Sequence, residues 1–322
     1  MTEQMRRNGL PCDAPLVNVD GADADRTPAR IGPGTAATRS VALVVTAPTD
    51  RVYGDQFFSE LLRSMNAALA EYSLLPVMIT PQTPDEVTAA QEYLLGGHVS
   101  GVILVNPDGS HSLPERLRDA GVSVVLRGTP PRGMVISYVD SDNRHGAQLA
   151  VEHLLSIGRR RIAVISGLLD QVDAIDRRLG YRDALTAAGI HLDPTLEEVA
   201  DYLPERAHMA MERLLLNHPD VDAVFAASDS MAVAALGVLR QARKRIPEDV
   251  AVIGFDDSRT ASVSDPPLSS IRQHIDRIGR ETVNVMLHEM DEPGGTPTQV
   301  IFPTELVIRQ STVPDSGTAG RD

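Results

Sequence analysis

From Ser40 onward, apolar β-branched runs alternate with segments of helical periodicity, a rhythm that few folds accommodate. Ser40-Val-Ala-Leu-Val-Val-Thr46 is an unbroken apolar run, the pattern of a parallel strand buried on both faces. Gln56 to Tyr72 then places Phe57, Phe58, Leu61, Leu62, Met65, Ala68 and Leu69 on one helical face. The pattern continues with strands at Leu75 to Ile79, Gly101 to Val105, Val122 to Leu126 and Val135 to Val139, and with helices at Asp85 to Leu95 and Leu113 to Ala120. A long helix, Arg144 to Ile157, stops at Gly158 ahead of the basic Arg159 to Arg161, which complements the negative helix end.

The second half repeats the rhythm. Strands are expected at Ile162 to Ser166, Val199 to Tyr202, Ala223 to Ala226 and Val250 to Phe255, with helices at Ile175 to Ala188, Pro204 to Asn217 and Ser230 to Arg243 between them. A last helix, Ile275 to Met290, precedes strands at Gln299 to Phe302 and Glu305 to Ile308. At about 150 residues per domain, 322 residues make about two domains. The alternation predicts an α/β fold with two doubly wound parallel-sheet lobes. Ligands of such sheets bind beyond the carboxyl ends of the strands, so residues just after strands carry the functional information.

Hydrophobic residues at 42% and charged residues at 23% are those of a globular chain, not a disordered one. Lys+Arg 30 against Asp+Glu 44 gives a net charge of −14, which disfavours nucleic-acid binding by the bulk of the surface. The single Cys12 has no intramolecular disulfide partner, and the start of the chain lacks the apolar core of a secretory signal, so a cytoplasmic location is expected. No apolar run approaches the ~18 residues of a spanning helix, and no membrane partner is expected. Residues 1 to 39, rich in Gly, Pro, Ala, Asp and Thr with balanced charges, read as a disordered arm.

Several chemistries lack their residues. No G-x-G-x-x-G opens a helix after the first strand, and neither G-x-x-x-x-G-K-[ST] nor G-x-S-x-G occurs. His288-Glu289 begins a zincin-like pair without its second His, and scattered His with one Cys make no metal cluster. No nucleophile has an evident base, so neither a catalytic residue nor a cofactor or metal is assigned.

The segments after the strands resemble the effector-binding core of the lactose/galactose repressor (LacI/GalR) family of bacterial transcription regulators. The likeness covers Arg39 to Thr312 and rests on eight motifs in order. They are Asp55-Gln-Phe-Phe58, Val139-Asp-Ser-Asp-Asn143, His153-Leu-Leu-Ser-Ile-Gly-Arg-Arg-Arg-Ile-Ala-Val-Ile165, Arg177-Arg-Leu-Gly-Tyr181, Ala227-Ser-Asp-Ser-Met-Ala232, Ile246-Pro-Glu-Asp-Val-Ala-Val-Ile-Gly-Phe-Asp-Asp257, Pro267-Leu-Ser-Ser-Ile-Arg-Gln273 and Pro303-Thr-Glu-Leu-Val-Ile-Arg309-Gln-Ser-Thr312. The resemblance implies a periplasmic-binding-protein-like type I fold, with two lobes joined by three crossover strands and a ligand between them. Residues 40–156 plus 275–302 would form the first lobe, 158–272 plus 303–312 the second, and 313–322 a tail. The implied partners are a small-molecule effector (a sugar, a sugar derivative or a nucleoside), a second copy of the chain in a homodimer, and operator DNA.

By the same resemblance, Asp142, Arg177, Tyr202, Ser228, Asp256, Phe57 and Gln273 would contact the ligand. Asp142 would hold a sugar diol; the alternative is a cap on the helix that starts at Arg144, a role open to Asn143 as well. Arg177, three residues before Gly180, matches the family's ligand-binding arginine, with Arg178 its rival in register. Asp256 matches a second diol carboxylate and Asp257 a turn residue. Tyr202 would stack on the ligand ring or pack in the core; in a chain with 3% aromatic residues and no Trp, that placement matters. Phe57 is assigned to the cleft and Phe58 to the core. Ser228 is assigned to the ligand and Asp229 to the helix cap. Gln273 serves the hinge or the ligand, and Asp50, Tyr53 and Arg127 line the mouth.

The family begins with a helix-turn-helix headpiece of about sixty residues, whereas 39 residues precede the core here and carry no T-x-x-x-V-A-x-x-A-G-V-S-like run. Ala29-Arg30 faintly resembles the hinge helix, but Gly32-Pro33-Gly34 would break it. The expectation is therefore a LacI-type regulator core that senses a sugar or nucleoside, without a recognisable DNA-reading headpiece. Two other readings stand beside it: a cytoplasmic sugar-binding protein that never touches DNA, and an enzyme on a similar fold.

Overall fold

The computed structural model describes residues 16–18, 40–105 and 113–313. Cys12, the Ala29-Arg30 segment and the tail from residue 314 lie outside the described residues. The chain divides into two compact units. Unit 1 comprises residues up to Thr49, Leu61–Ser141 and Ile275–Phe302; unit 2 comprises Asp50–Glu60, Asp142–His274 and the residues from Pro303.

Unit 1 holds a seven-stranded parallel sheet in the order β1-β12-β6-β5-β4-β2-β3. Its strands are β1 (Leu16–Asn18), β2 (Ser40–Val45), β3 (Leu75–Ile79), β4 (Gly101–Val105), β5 (Val124–Arg127), β6 (Ser137–Ser141) and β12 (Gln299–Phe302). Apart from half-buried Ser40, every residue of β2, β4, β5 and β6 is buried, as the unbroken apolar runs require. The arm expected to be disordered contributes β1, which adds to the sheet edge with Leu16 to Asn18 in register with Gln299 to Ile301. Three residues are too few for a period-two pattern, and only a neighbouring strand makes them one.

Unit 2 holds six strands in the order β13-β11-β10-β9-β7-β8. They are β7 (Ile162–Ser166), β8 (Glu197–Val199), β9 (Ala223–Ala226), β10 (Ala251–Asp256), β11 (Ser269–Arg272) and β13 (Glu305–Val307). All pairs are parallel except β11 with β13. One face of the sheet packs with α7 (Pro204–Asn217) and α8 (Asp229–Gln241) in a core that includes Ala210, Met211, Leu214, Ala232 and Leu236. The other face packs with α5 (Asn143–Ser156) and α6 (Val172–Ala187), through Ala147, Ala150, Val151, Leu154, Tyr181 and Leu185. The fold is thus two α/β lobes with helices on both faces of the second sheet.

Two expected boundaries shift. Helix α5 belongs to unit 2, so the chain changes unit after Ser141 rather than after Ser156. Its apolar face packs on β7, β9 and β10 through Ile162, Val164, Phe225 and Ile253, and a helix goes with the core that covers its face. Asp50–Glu60 also groups with unit 2; it contains α1 (Thr49–Gly54, entered from unit 1) and the first turn of α2 (Gln56–Glu71).

Candidate functional site

In a parallel sheet the C-terminal strand ends lie along one edge, and in unit 2 they deliver Gly167 after β7, Ala227 after β9, Asp256 at the end of β10 and Gln273 after β11. Arg177 on α6 reaches the same place. Its Nε donates to Asn143 Oδ1 at 2.9 Å and its Nη1 to the Ala227 carbonyl at 2.6 Å. Nη1 lies 3.7 Å from Asp256 Oδ1, and the guanidinium carbon stands 3.7 Å from the centroid of the Phe255 ring. Arg177 is 4% exposed and Asp256 6%. The neighbouring Arg178 turns away from this cluster and pairs with Glu197 at 2.7 Å.

Asp256 accepts from Gln273 Nε2 at 2.7 Å. Burial drives its carboxyl well above the ordinary range; the Arg177 guanidinium opposes that shift, and the Asp229 carboxylate adds to it. The backbone here is strained, with φ +112° at Asp256 and +53° at Asp257, a region that L-residues avoid. Asp257 is held by ion pairs to Arg272 and Arg309, both at 2.7 Å, so it has more than a turn to make.

Tyr202 follows β8 instead of ending it, in a left-handed pair with Asp201 at φ +61° and +51°. Its hydroxyl donates to Asp173 Oδ2 at 2.9 Å, and the residue is 2% exposed. A Cβ on Gly167 would stand 2.1 Å from the ring carbons Cε2 and Cζ, so only glycine fits there. The ring is no open platform for a ligand. The Arg51 guanidinium covers it at 4.1 Å from the centroid, stands 5.1 Å from the Phe58 ring, and donates to Gln171 Oε1 at 3.3 Å. Phe57, assigned to the cleft, packs edge-on against Phe58, and it is Phe58 that meets Arg51. Asp55 accepts from the Phe57 amide at 3.0 Å; burial raises its pKa, against the pull of Arg51 and Arg177.

The remaining expected residues take structural positions. Asp142 caps α5 by accepting from the His145 amide at 3.0 Å, and its neighbour Asn143 makes the bond to Arg177. Ser228, not Asp229, caps α8, accepting from the Met231 amide at 3.3 Å. Asp229 lies inside the first turn, takes hydrogen bonds from the Ser258 amide at 2.7 Å and the Ser270 hydroxyl at 2.6 Å, and is pushed up to about 7 by burial. Arg127 is no mouth residue: it is buried in unit 1, 2.9 Å from Asp140. Asp50 is exposed, and Tyr53 is 69% exposed.

Sequence reading missed Arg51, Gln171, Asp173 and Asn143 as members of this cluster. Asn143 stood inside a quoted motif but read as a cap, while the others lie in segments that bear no motif. The cluster alternates fork-shaped donors, carboxyl groups and aromatic rings, the means of holding a polyhydroxylated ring by its edges and faces. Among the described residues no group of His, Cys, Asp or Glu is placed to hold a metal ion.

A family model described as a periplasmic binding protein-like domain matches residues 151–312. The HTH-type transcriptional regulator CelR of Thermobifida fusca is 39% identical over 280 residues, which cover 86% of this chain and 82% of that protein. The ribose operon repressor of Escherichia coli (strain K12) is 32% identical over 260 residues, 80% of this chain and 77% of that protein. Among solved structures, the transcriptional regulator CelR–cellobiose complex has 39% sequence identity and a TM-score of 0.82, with 85% of each chain covered. A transcriptional regulator LacI from Bacillus cereus subsp. cytotoxis gives 26% and 0.81, over 85% of this chain and 98% of that one.

Proposed function

The chain belongs to the LacI family of transcriptional regulators, and from that premise we propose that it senses a neutral sugar of the cellobiose class through the cluster around Arg177. The observation that carries the proposal is the buried Arg177, with Asn143, Ala227, Asp256 and Phe255 gathered around it at the strand ends. In this reading Arg177, backed by the buried Phe255 ring, and Asp256 hold ring hydroxyls, with Gln273 setting the carboxyl, and Tyr202 supplies an apolar face. Asp142 and Ser228 act by capping the helices that carry Asn143 and Asp229, and Phe57 supports Phe58. The relative solved with cellobiose at 39% identity supports the choice of sugar. Nothing in the cluster calls for catalysis.

The working form in this reading is a cytoplasmic homodimer that controls operator DNA. No helix among the described residues is long and apolar enough to cross a membrane. Edge strand β3 leaves Leu75 68% and Met78 43% exposed, an apolar border suited to a second copy of the chain. Selection from a random duplex pool with the full chain, with and without cellobiose, tests the function. Enriched palindromic half-sites whose retention changes with cellobiose are expected. Enrichment of no sequence at low or physiological salt, with cellobiose still bound, would replace the regulator with a detached sugar-binding protein.

A further inference from the structure

Arg51 differs from the other buried arginines in how little holds it. It is 6% exposed, yet its one side-chain hydrogen bond is the long contact to Gln171 at 3.3 Å. Its Nε–H has no hydrogen-bond partner, and no carboxylate of the described residues lies within ion-pair distance of it. Arg127 and Arg177, by contrast, each have an acidic partner and short hydrogen bonds. Burying a guanidinium whose Nε–H is unpartnered and whose one side-chain hydrogen bond is long is unfavourable. Beyond the field of the Asp55 carboxyl, which is too far for an ion pair, the compensation is the face of Tyr202, 4.1 Å away, and Phe58 beside it.

That face is the resource a ring-shaped ligand would need. Gly167 presses on the Tyr202 ring, the Tyr202 hydroxyl is tied to Asp173, and Arg51 takes the open side. We propose that the Arg51 guanidinium is an internal stand-in for the ligand, seated on the Tyr202 face and displaced from it when an effector ring stacks there. The proposal rests on the reading of this cluster as the effector site. Three features make the exchange feasible. The electron-rich face that attracts a planar cation also accepts the C–H face of a sugar ring. Arg51 stands on the six-residue helix α1, next to exposed Asp50 and two residues before exposed Tyr53, so the freed side chain has solvent within reach. Once hydrated, the guanidinium regains the hydrogen bonds it lacks when seated. The ring is therefore masked until a ligand offers more than the arginine does, and Arg51 sets the threshold concentration of the sensor.

Two titrations with Arg51→Ala test this. The first uses methylguanidinium, the head group of the missing side chain. The variant should take it up saturably at millimolar concentration, with a rise in Tm; wild type and the double variant Arg51→Ala/Tyr202→Leu should not respond. Equal response of wild type and Arg51→Ala overturns the proposal. In the second titration Arg51→Ala should bind cellobiose about tenfold tighter than wild type, the size of one cation–π contact no longer displaced. Unchanged or weaker binding by Arg51→Ala refutes the stand-in role and makes Arg51 either inert or a direct contact. If methylguanidinium refills the slot but neither chain binds cellobiose, it is the effector reading that fails, and the slot stands.

Discussion

Gly167→Ala is the most economical perturbation of the site, because one methyl group meets one ring. The new Cβ would lie 2.1 Å from Cε2 and Cζ of Tyr202, where carbon atoms need about 3.5 Å. The ring must retreat by about 1.4 Å. Tyr202 is 2% exposed, so it moves only by pushing on its neighbours. A retreat of that size takes the Tyr202 hydroxyl, now 2.9 Å from Asp173, out of hydrogen-bond range. Overpacking costs about 1–3 kcal/mol and the lost hydrogen bond about 1 kcal/mol. The expected total is about 2–4 kcal/mol. Urea unfolding followed by far-UV circular dichroism reads it, with Gly158→Ala as the control. Gly158 has φ +88° with nothing within 4 Å of its added Cβ, so that variant carries backbone strain alone, about 1–2 kcal/mol. Gly167→Ala losing no more stability than Gly158→Ala would refute the packing argument for Tyr202.

Gly180→Ala should destabilise by about 3 kcal/mol in the same assay, since its Cβ would stand 2.2 Å from the Arg144 carbonyl oxygen and 2.8 Å from Ala147 Cβ, where α5 and α6 meet. Arg178→Ala should cost no more than about 1 kcal/mol and leave sugar affinity unchanged, because Arg178 is a half-exposed partner of Glu197, which Arg182 also holds. Asp229 rises from 3.8 to about 7 on folding, so its contribution is complete below pH 4, declines as the unfolded chain ionises, and is lost by about pH 7. The span is about 4 kcal/mol. Asp229→Asn should therefore be less dependent on pH than wild type between pH 5 and pH 8, as read by urea midpoints; parallel profiles for the two proteins would contradict that.

Much of the fold was legible in the sequence because both sheets are built from buried parallel strands. Strands Leu75–Ile79, Gly101–Val105, Ile162–Ser166 and Ala223–Ala226 and the helix Pro204–Asn217 lie where periodicity put them. Elements whose existence depends on a neighbour were not legible. Leu16–Asn18 is a strand only against β12, and Ser269–Arg272 carries two serines where an apolar run would be sought. The site divides in the same way. Arg177, Asp256 and Gln273 converge because each ends or follows a strand or stands on a helix facing the strand ends. Tyr202 was found as a residue, but its covered face was not. The cover, Arg51, comes from a short helix about 150 positions away in sequence, and no local pattern marks a contact of that kind. The cap falls to Ser228 rather than the expected Asp229 because either residue type can cap a helix, and backbone geometry, not composition, selects which one does.

In the proposed function the effector binds at the cluster around Arg177. Isothermal titration of the full chain with cellobiose, glucose, ribose and adenosine, repeated on Arg177→Met, tests it most directly. Methionine keeps the apolar stem against Phe255 while it removes the donors that reach Asn143 and Ala227. Cellobiose should bind the wild type, and Arg177→Met should lose at least a hundredfold in affinity, about 3 kcal/mol, the worth of a charged hydrogen bond. Cellobiose binding of equal strength to both proteins would move the effector site away from Arg177, and failure of all four compounds to bind the wild type would remove the sugar from the account.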